Sequence, residues 1–279
     1  MTLLTATITI TEIIGGIVSG SLSLLSDAMH NFSDTLSIII SYVANRIGAK
    51  PKDEKKTFGY KRAEILAAFI NSLVLTVISF FLIYEAIERF FKPQDIETGT
   101  MLIVAVIGLL ANLFSVLLLQ NDSKKSMNIK SSYLHMLSDT LSSIGVIIGG
   151  LLIRFLSITW IDPLITILIA LYILREAIFI LRESIDILMQ SSPELDYESI
   201  IKEIVALDSV NNVHHVHAWR LDEKNIFFEA HIDIEDQTLS SAQIILHIIE
   251  DLLKENYHIN HVTLQAETNQ CCEPVIFHK

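Results

Sequence analysis

The sequence predicts an α-helical membrane protein with six transmembrane helices, followed by a small cytoplasmic α+β domain. Three observations carry this reading. Of the 279 residues, 51% are hydrophobic and only 19% are charged, and the mean hydropathy is +0.48, too apolar for an ordinary soluble domain of this length. Six apolar stretches reach the roughly 20 residues that cross a bilayer as a helix. Acids and bases balance up to Glu183, so the formal net charge of −12 belongs to the last third of the chain. The expected division is therefore 1–183 for the membrane part and 184–279 for the soluble part.

The spans are expected at about 3–25, 28–47, 64–88, 99–120, 131–153 and 160–181. The first lacks a basic leader and a small-residue cleavage site, so it reads as a span and not a signal peptide. Met1 is expected in or beside the membrane. The loop after the second span carries Arg46, Lys50, Lys52, Lys55, Lys56, Lys61 and Arg62, and the loop after the fourth adds Lys124, Lys125 and Lys130; the opposite loops hold only Arg89, Lys92 and Arg154. This bias places the basic loops, both termini and the acidic third in the cytoplasm. Past Ser184 the pattern is that of a soluble domain. A helix is expected over Tyr197 to Leu207 behind Pro193, then two strands, the second alternating Phe228, Ala230, Ile232 and Ile234 with Phe227, Glu229, His231 and Asp233. A helix of about 240–255 and a strand from His261 to Glu267 complete the order α-β-β-α-β, a ferredoxin-like arrangement. The acidic balance argues against nucleic acid, whose phosphates are met by Lys and Arg.

The chemistry lies in two matching polar stripes. Asp27, His30, Asp34, Ser37 and Ser41 recur at steps of three and four, so they share one face of the second helix, and Ser131, His135, Asp139 and Ser142 do the same on the fifth. His30-Asn-Phe-Ser-Asp-Thr-Leu-Ser37 and His135-Met-Leu-Ser-Asp-Thr-Leu-Ser142 agree at six of eight positions. Three spans separate them, which suggests an inverted three-plus-three repeat with a site near the midplane. Ionisable groups inside a span are costly and read as functional; packing alone would need only serines. Two imidazoles and two carboxylates on facing helices suit a four-coordinate zinc-like ion, and hard ions such as magnesium or calcium suit them less. Two carboxylates neutralise a divalent cation, whereas the empty site holds two like charges in a poorly solvated place and favours proton uptake. Metal and protons therefore compete for one site, as in an exchanger.

At these residues the chain resembles the cation diffusion facilitators, six-span divalent-metal exporters typified by bacterial zinc, cadmium and cobalt efflux proteins. The resemblance covers nearly the whole chain and rests on Ser19-Gly-Ser-Leu-Ser-Leu-Leu-Ser-Asp-Ala-Met-His30, the paired His-x-x-x-Asp motifs, Phe58-Gly-Tyr-Lys-Arg-Ala-Glu64, Trp160-Ile-Asp-Pro163, and Val216-His-Ala-Trp219 with His261-x-Thr-x-Gln-x-Glu267. It implies a transport site of His30, Asp34, His135 and Asp139, with zinc as the main cargo because both imidazole positions are His. It also implies proton antiport, a homodimer and a multi-pass place in a bacterial cytoplasmic (inner) membrane, with cadmium or cobalt as further cargo. Some members bind another metal through His in the loop after the second span, but Gly48 to Tyr60 has none, and the short segment Asn121 to Lys130 also lacks the His-rich run of other members. The resemblance would also lead one to expect an N-terminal leader ahead of the first span.

Weaker signals remain. By resemblance the soluble domain dimerises and binds cytosolic metal through His217, His231, His261 and Glu267, with His247 a looser candidate. Strand parity groups His215, His217 and Trp219 on one face. Adjacent Cys271 and Cys272 resemble the Cys-rich tails of some relatives and indicate no disulfide framework. Asp27 is a candidate support for His30, and Glu12 and Asn112 either line the cavity or pair between helices. A membrane-anchored zinc sensor or buffer is the alternative, but an anchor needs no twinned His and Asp at mid-span. An intramembrane metalloenzyme would need an open coordination position and a base such as that of His-Glu-x-x-His, which does not occur.

Overall fold

The computed structural model describes residues 2–120 and 127–268, with side chains over 6–120 and 133–268. Six long helices come first: α1 (Thr2–Ser19), α2 (Leu22–Gly48), α3 (Ala63–Phe91), α4 (Thr98–Leu119), α5 (Met127–Leu156) and α6 (Ile161–Leu188). There follow α7 (Tyr197–Val205), β1 (Val210–Arg220), β2 (Ile226–Ile234), α8 (Leu239–Tyr257) and β3 (His261–Glu267). The chain forms two compact units, one of Met1–Ala44 and Ala67–Leu181, the other of Asn45–Leu66 and Arg182–Lys279.

In the first unit, α3, α4, α6 and the Tyr133–Leu156 part of α5 are each long and apolar enough to cross a membrane. Helix α2 is as long, yet its polar stripe dilutes its apolar character. On its other faces Ile38, Ile39, Tyr42 and Val43 stand at least half exposed, and a helical surface of that kind belongs against lipid. Leu24, Met101, Val104, Ala105 and Val146 form a buried cluster joining α2, α4 and α5, with Ile165 and Ile169 of α6 against it.

The start of α2 differs from the expected boundary. The apolar run extends through Leu25, but α1 ends at Ser19 and α2 begins at Leu22. Gly20 makes the corner at φ +71°, a left-handed conformation that favours glycine, and the Arg89 guanidinium donates to its carbonyl. The cap of α2 comes from α6, 140 residues away: Asp162 accepts the amides of Leu22 (2.8 Å) and Ser23 (3.2 Å) and the hydroxyls of Ser21 and Ser23 (both 2.6 Å). Asp162 is fully buried. A single carboxylate thus satisfies the orphan donors of a helix terminus and fits its positive dipole end.

In the second unit the strand order is β1-β2-β3, with β1 and β2 antiparallel and β2 and β3 parallel. Parallel pairing of neighbours requires a crossover, which α8 supplies. One sheet face carries Val213, Val216, Ala218, Phe228, Ala230 and Ile232 against Ile200, Ile204, Ile249 and Leu253 of α7 and α8. Phe228→Ala is expected to cost about 3–5 kcal/mol through the cavity it leaves, readable as a lower urea midpoint for this unit. The opposite face is left for polar chemistry.

Candidate metal centre

The stripe of α2 faces the stripe of α5. His135 Nε2 lies 3.0 Å and His30 Nε2 3.7 Å from Asp34 Oδ2, while His30 Nε2 lies 3.5 Å from Asp139 Oδ1 and His135 Nε2 3.8 Å from Asp139 Oδ2. The first residue of each motif meets the last residue of the other, as two helices running in opposite directions require. One ligand atom from each of the four falls within 4.8 Å of every other. A tetrahedron of ligands at zinc distances has edges of about 3.3 Å, so the observed spacings are already those of a slightly loose cage.

Burial shapes this cage from one side. The Asp139 side chain is 3% exposed and His30 14%, whereas Asp34 is 29% and His135 39% exposed. Among the described residues, Asp139 Oδ1 and His30 Nδ1 are buried without a hydrogen-bond partner. Buried lone pairs left unpaired are costly, and a cation between the four groups would satisfy the carboxylate. Around them, Asn71 of α3 donates to Ser37 (2.5 Å), and Tyr172 of α6 stands 6.3 Å from the His30 ring and accepts from Ser138 at 3.3 Å. Asn71 and Tyr172 carried no sequence signal, since each sits singly in an apolar helix.

Asp27 is placed one turn before His30, but its carboxylate accepts from Ser142 (2.6 Å) and Ser143 (3.1 Å) of α5. Among the described residues its hydrogen bonds go across the helix pair and none reaches His30. Glu12 pairs between helices, accepting from Asn31 at 2.9 Å; Asn112 is buried, and its amide nitrogen has no partner among the described residues.

A second cluster lies on the other sheet face, and its membership differs from the expected set. His231 Nδ1 lies 2.7 Å and His214 Nε2 3.2 Å from the Glu267 carboxylate. The third member is His214, 2% exposed, and not His217. The cause is a bulge in β1: pairing runs His214 opposite His231, then slips before resuming with His217 opposite Glu229. His215 takes φ +51° there, so the extra residue exchanges parity and brings His214 onto the face where simple alternation places His215. His217 lies against His215, ring centroids 4.9 Å apart. His261 pairs opposite Phe227, four residues before His231, and rests on that ring at 4.6 Å. His247 is on α8, 78% exposed, beside Glu250. Cys271 and Cys272 lie outside the described residues.

Both parts of the sequence match known families: residues 1–189 match the cation efflux transmembrane domain and residues 192–269 the cytoplasmic domain of cation efflux proteins. The chain is 41% identical over 263 residues to the cadmium, cobalt and zinc/H(+)-K(+) antiporter of Bacillus subtilis, covering 93% of this chain and 84% of that one. It is 37% identical over 269 residues to the metal cation efflux system protein CzcD of Cupriavidus metallidurans, covering 96% and 85%. Identity to the zinc transporter ZitB of Escherichia coli is 37% over 273 residues, covering 97% and 86%. With its apolar helices, its paired motifs and these matches over nearly its whole length, the chain belongs to the cation efflux family of membrane transporters.

Proposed function

We propose that the chain exports divalent metal, zinc foremost with cadmium and cobalt as further cargo, in exchange for protons by alternating access. The observation that carries this reading is the cage of His30, Asp34, His135 and Asp139. Two imidazoles and two carboxylates give a loaded site with no net charge, and an ion entering it displaces protons from the same atoms. Residues 1–183 do the transport; residues 184–279 form a regulatory and dimerising domain in a homodimer. The basic loops place that domain and both termini in the cytoplasm of a bacterial inner membrane. The role is carriage and not catalysis. Support comes also from the relatives above, two of which are named for transport of zinc or of cadmium, cobalt and zinc. The test is uptake into proteoliposomes of zinc, cadmium, cobalt and manganese under an imposed pH gradient. Zinc flux that follows the gradient and stops with a protonophore is expected; flux indifferent to pH would leave a uniporter.

Selectivity should follow the donor atoms. His30→Asp exchanges an imidazole for a carboxylate, which suits the harder manganese ion, so the manganese-to-zinc flux ratio should rise by about tenfold or more. An unchanged ratio would remove His30 from the ligand set.

The cluster of His214, His231 and Glu267 offers three metal-capable groups on the soluble domain, away from the transport cage, which supports a regulatory role for cytosolic metal. The acidic domain repels a second copy of itself, and bound divalent metal reduces that repulsion. Label-to-label distance between the two domains should shorten with zinc, and His214→Ala with His231→Ala should cancel the response. A response that survives in the double variant would assign it to other residues. Such coupling can shift the transporter only by the difference in metal affinity between its states.

A further inference from the structure

The loop between α2 and α3 folds onto β1 within one compact unit, and the two enclose a cavity of about 580 Å³. Its apolar wall combines Phe58 of the loop with Trp219 of β1 and Leu221 just past that strand, and at the helix ends Ile47 and Leu66. The wall is held by ring contacts: Phe58 stands edge-on to Phe227 at 5.4 Å, and Trp219 stacks on the same ring at 5.5 Å. Lys55, Lys56 and Arg62 bring positive charge to the rest of the lining, which contains no Asp or Glu.

Lys56 is near enough to Asp53 to help hold that carboxyl charged, but it forms no ion pair with it. Among the described residues none of the three makes a side-chain salt bridge, and Arg62 Nε is buried without an acceptor. The loop carboxylate nearest in sequence, Asp53, is occupied: it accepts from the Tyr60 hydroxyl at 2.8 Å and from the amides of Lys55 (2.8 Å) and Lys56 (2.7 Å). The Tyr60 hydroxyl foremost, with those amides, holds its carboxyl below the usual range, so it orders the loop as a fixed anion. An apolar, aromatic wall beside three unpaired cations recognises an anion carried on an apolar stem. Because Ile47 lies in the last turn of α2 and Leu66 in the first turns of α3, the cavity lies at the ends of two long helices, which the proposed topology puts at the membrane surface.

We propose that this cavity binds the headgroup of an anionic phospholipid, its phosphate on Lys55, Lys56 and Arg62 and its glycerol and upper acyl carbons against Phe58 and Trp219. The site is separate from both metal clusters and does not depend on the cargo. A membrane lipid is the source the geometry favours, since a free phosphate would leave the apolar wall unused.

Trp219 supplies the probe. The chain has two tryptophans, so a Trp160→Phe background leaves Trp219 as the single emitter. The purified full-length protein in neutral micelles is titrated with brominated phosphatidylglycerol or brominated phosphatidylcholine. Phosphatidylglycerol should quench Trp219 at a mole fraction at least about fivefold lower, the order contributed by one Lys or Arg near an anionic lipid. High salt should narrow the gap, and Lys55→Gln, Lys56→Gln, Arg62→Gln together should remove it. Equal quenching by the two lipids in the unsubstituted loop would overturn the proposal, whether or not the triple variant folds, and so would a preference that persists in the folded triple variant. Excess inorganic phosphate should leave the phosphatidylglycerol curve in place; displacement by phosphate alone would make this a free-anion site and overturn the lipid assignment.

Discussion

Asp139→Ala should abolish zinc flux in proteoliposomes, by more than about a hundredfold, while the protein still folds. The magnitude follows from comparison: losing a group that only orients a metal ligand already costs about 10–100-fold, and Asp139 would itself be a ligand. It is also the most buried of the four, its side chain 3% exposed. Without it a divalent ion in the cage keeps a net positive charge among His30, His135 and a single carboxylate, in a place that cannot hydrate it. Folding should survive because Asp139 Oδ1 has no hydrogen-bond partner to lose and the empty site is relieved of one of two like charges. Flux and thermal melting on the same purified sample separate the two effects. Wild-type flux in the variant would remove Asp139 from the transport site.

The second large effect is expected far from the ligands in sequence. Asp162→Ala takes a shared carboxylate acceptor from two backbone amides and two hydroxyls at the start of α2, leaving the hydroxyls of Ser21 and Ser23 only each other to donate to, at 3.2 Å, among the described residues. With charged hydrogen bonds worth about 1.5–3 kcal/mol each and buried donors left unmet, the loss should be at least about 3 kcal/mol. Helix α2 carries His30 and Asp34 two and three turns beyond this cap, so a shift of its start is passed to the cage and flux should fall with stability. Asp162→Asn retains one acceptor oxygen and should fall between the two. A melting temperature within a degree or two of wild type for Asp162→Ala would show that water or another group caps α2 equally well.

Local periodicity made much of this molecule readable. His30 and Asp34, like His135 and Asp139, sit four residues apart, and a helix must put such pairs on one face whatever surrounds it. The repeat of one eight-residue pattern in two helices then named their partner. The strand His261 to Glu267 was equally plain, because strict alternation over seven residues has few other readings. What escaped were the non-local decisions. The apolar run through Leu25 hides a helix boundary at Gly20, fixed by a carboxylate that arrives from α6. Asp162 was visible in the Trp160-Ile-Asp-Pro163 motif, but its task was not, since the donors it meets lie 140 residues upstream. In β1 a single inserted residue reverses parity, so alternation put His215 on the face where the fold presents His214, and the resemblance pointed to His217. The adjacent pair His214-His215 was the one hint, as either could take the face once a bulge was admitted. Likewise, Lys55, Lys56 and Arg62 read as loop charges counted for orientation; their convergence with Trp219 is a property of the folded unit.

The most direct measurement is zinc X-ray absorption on the full-length protein with the cytoplasmic cluster removed by His214→Ala, His231→Ala and Glu267→Ala. One zinc per chain is expected, with four nitrogen and oxygen neighbours at about 2.0 Å, the outer-shell scattering of two imidazoles, and loss of that zinc when Asp34→Ala and Asp139→Ala are added. An all-oxygen shell of six neighbours, or a spectrum unchanged by the two aspartate substitutions, would contradict the assignment of His30, Asp34, His135 and Asp139 as the transport site.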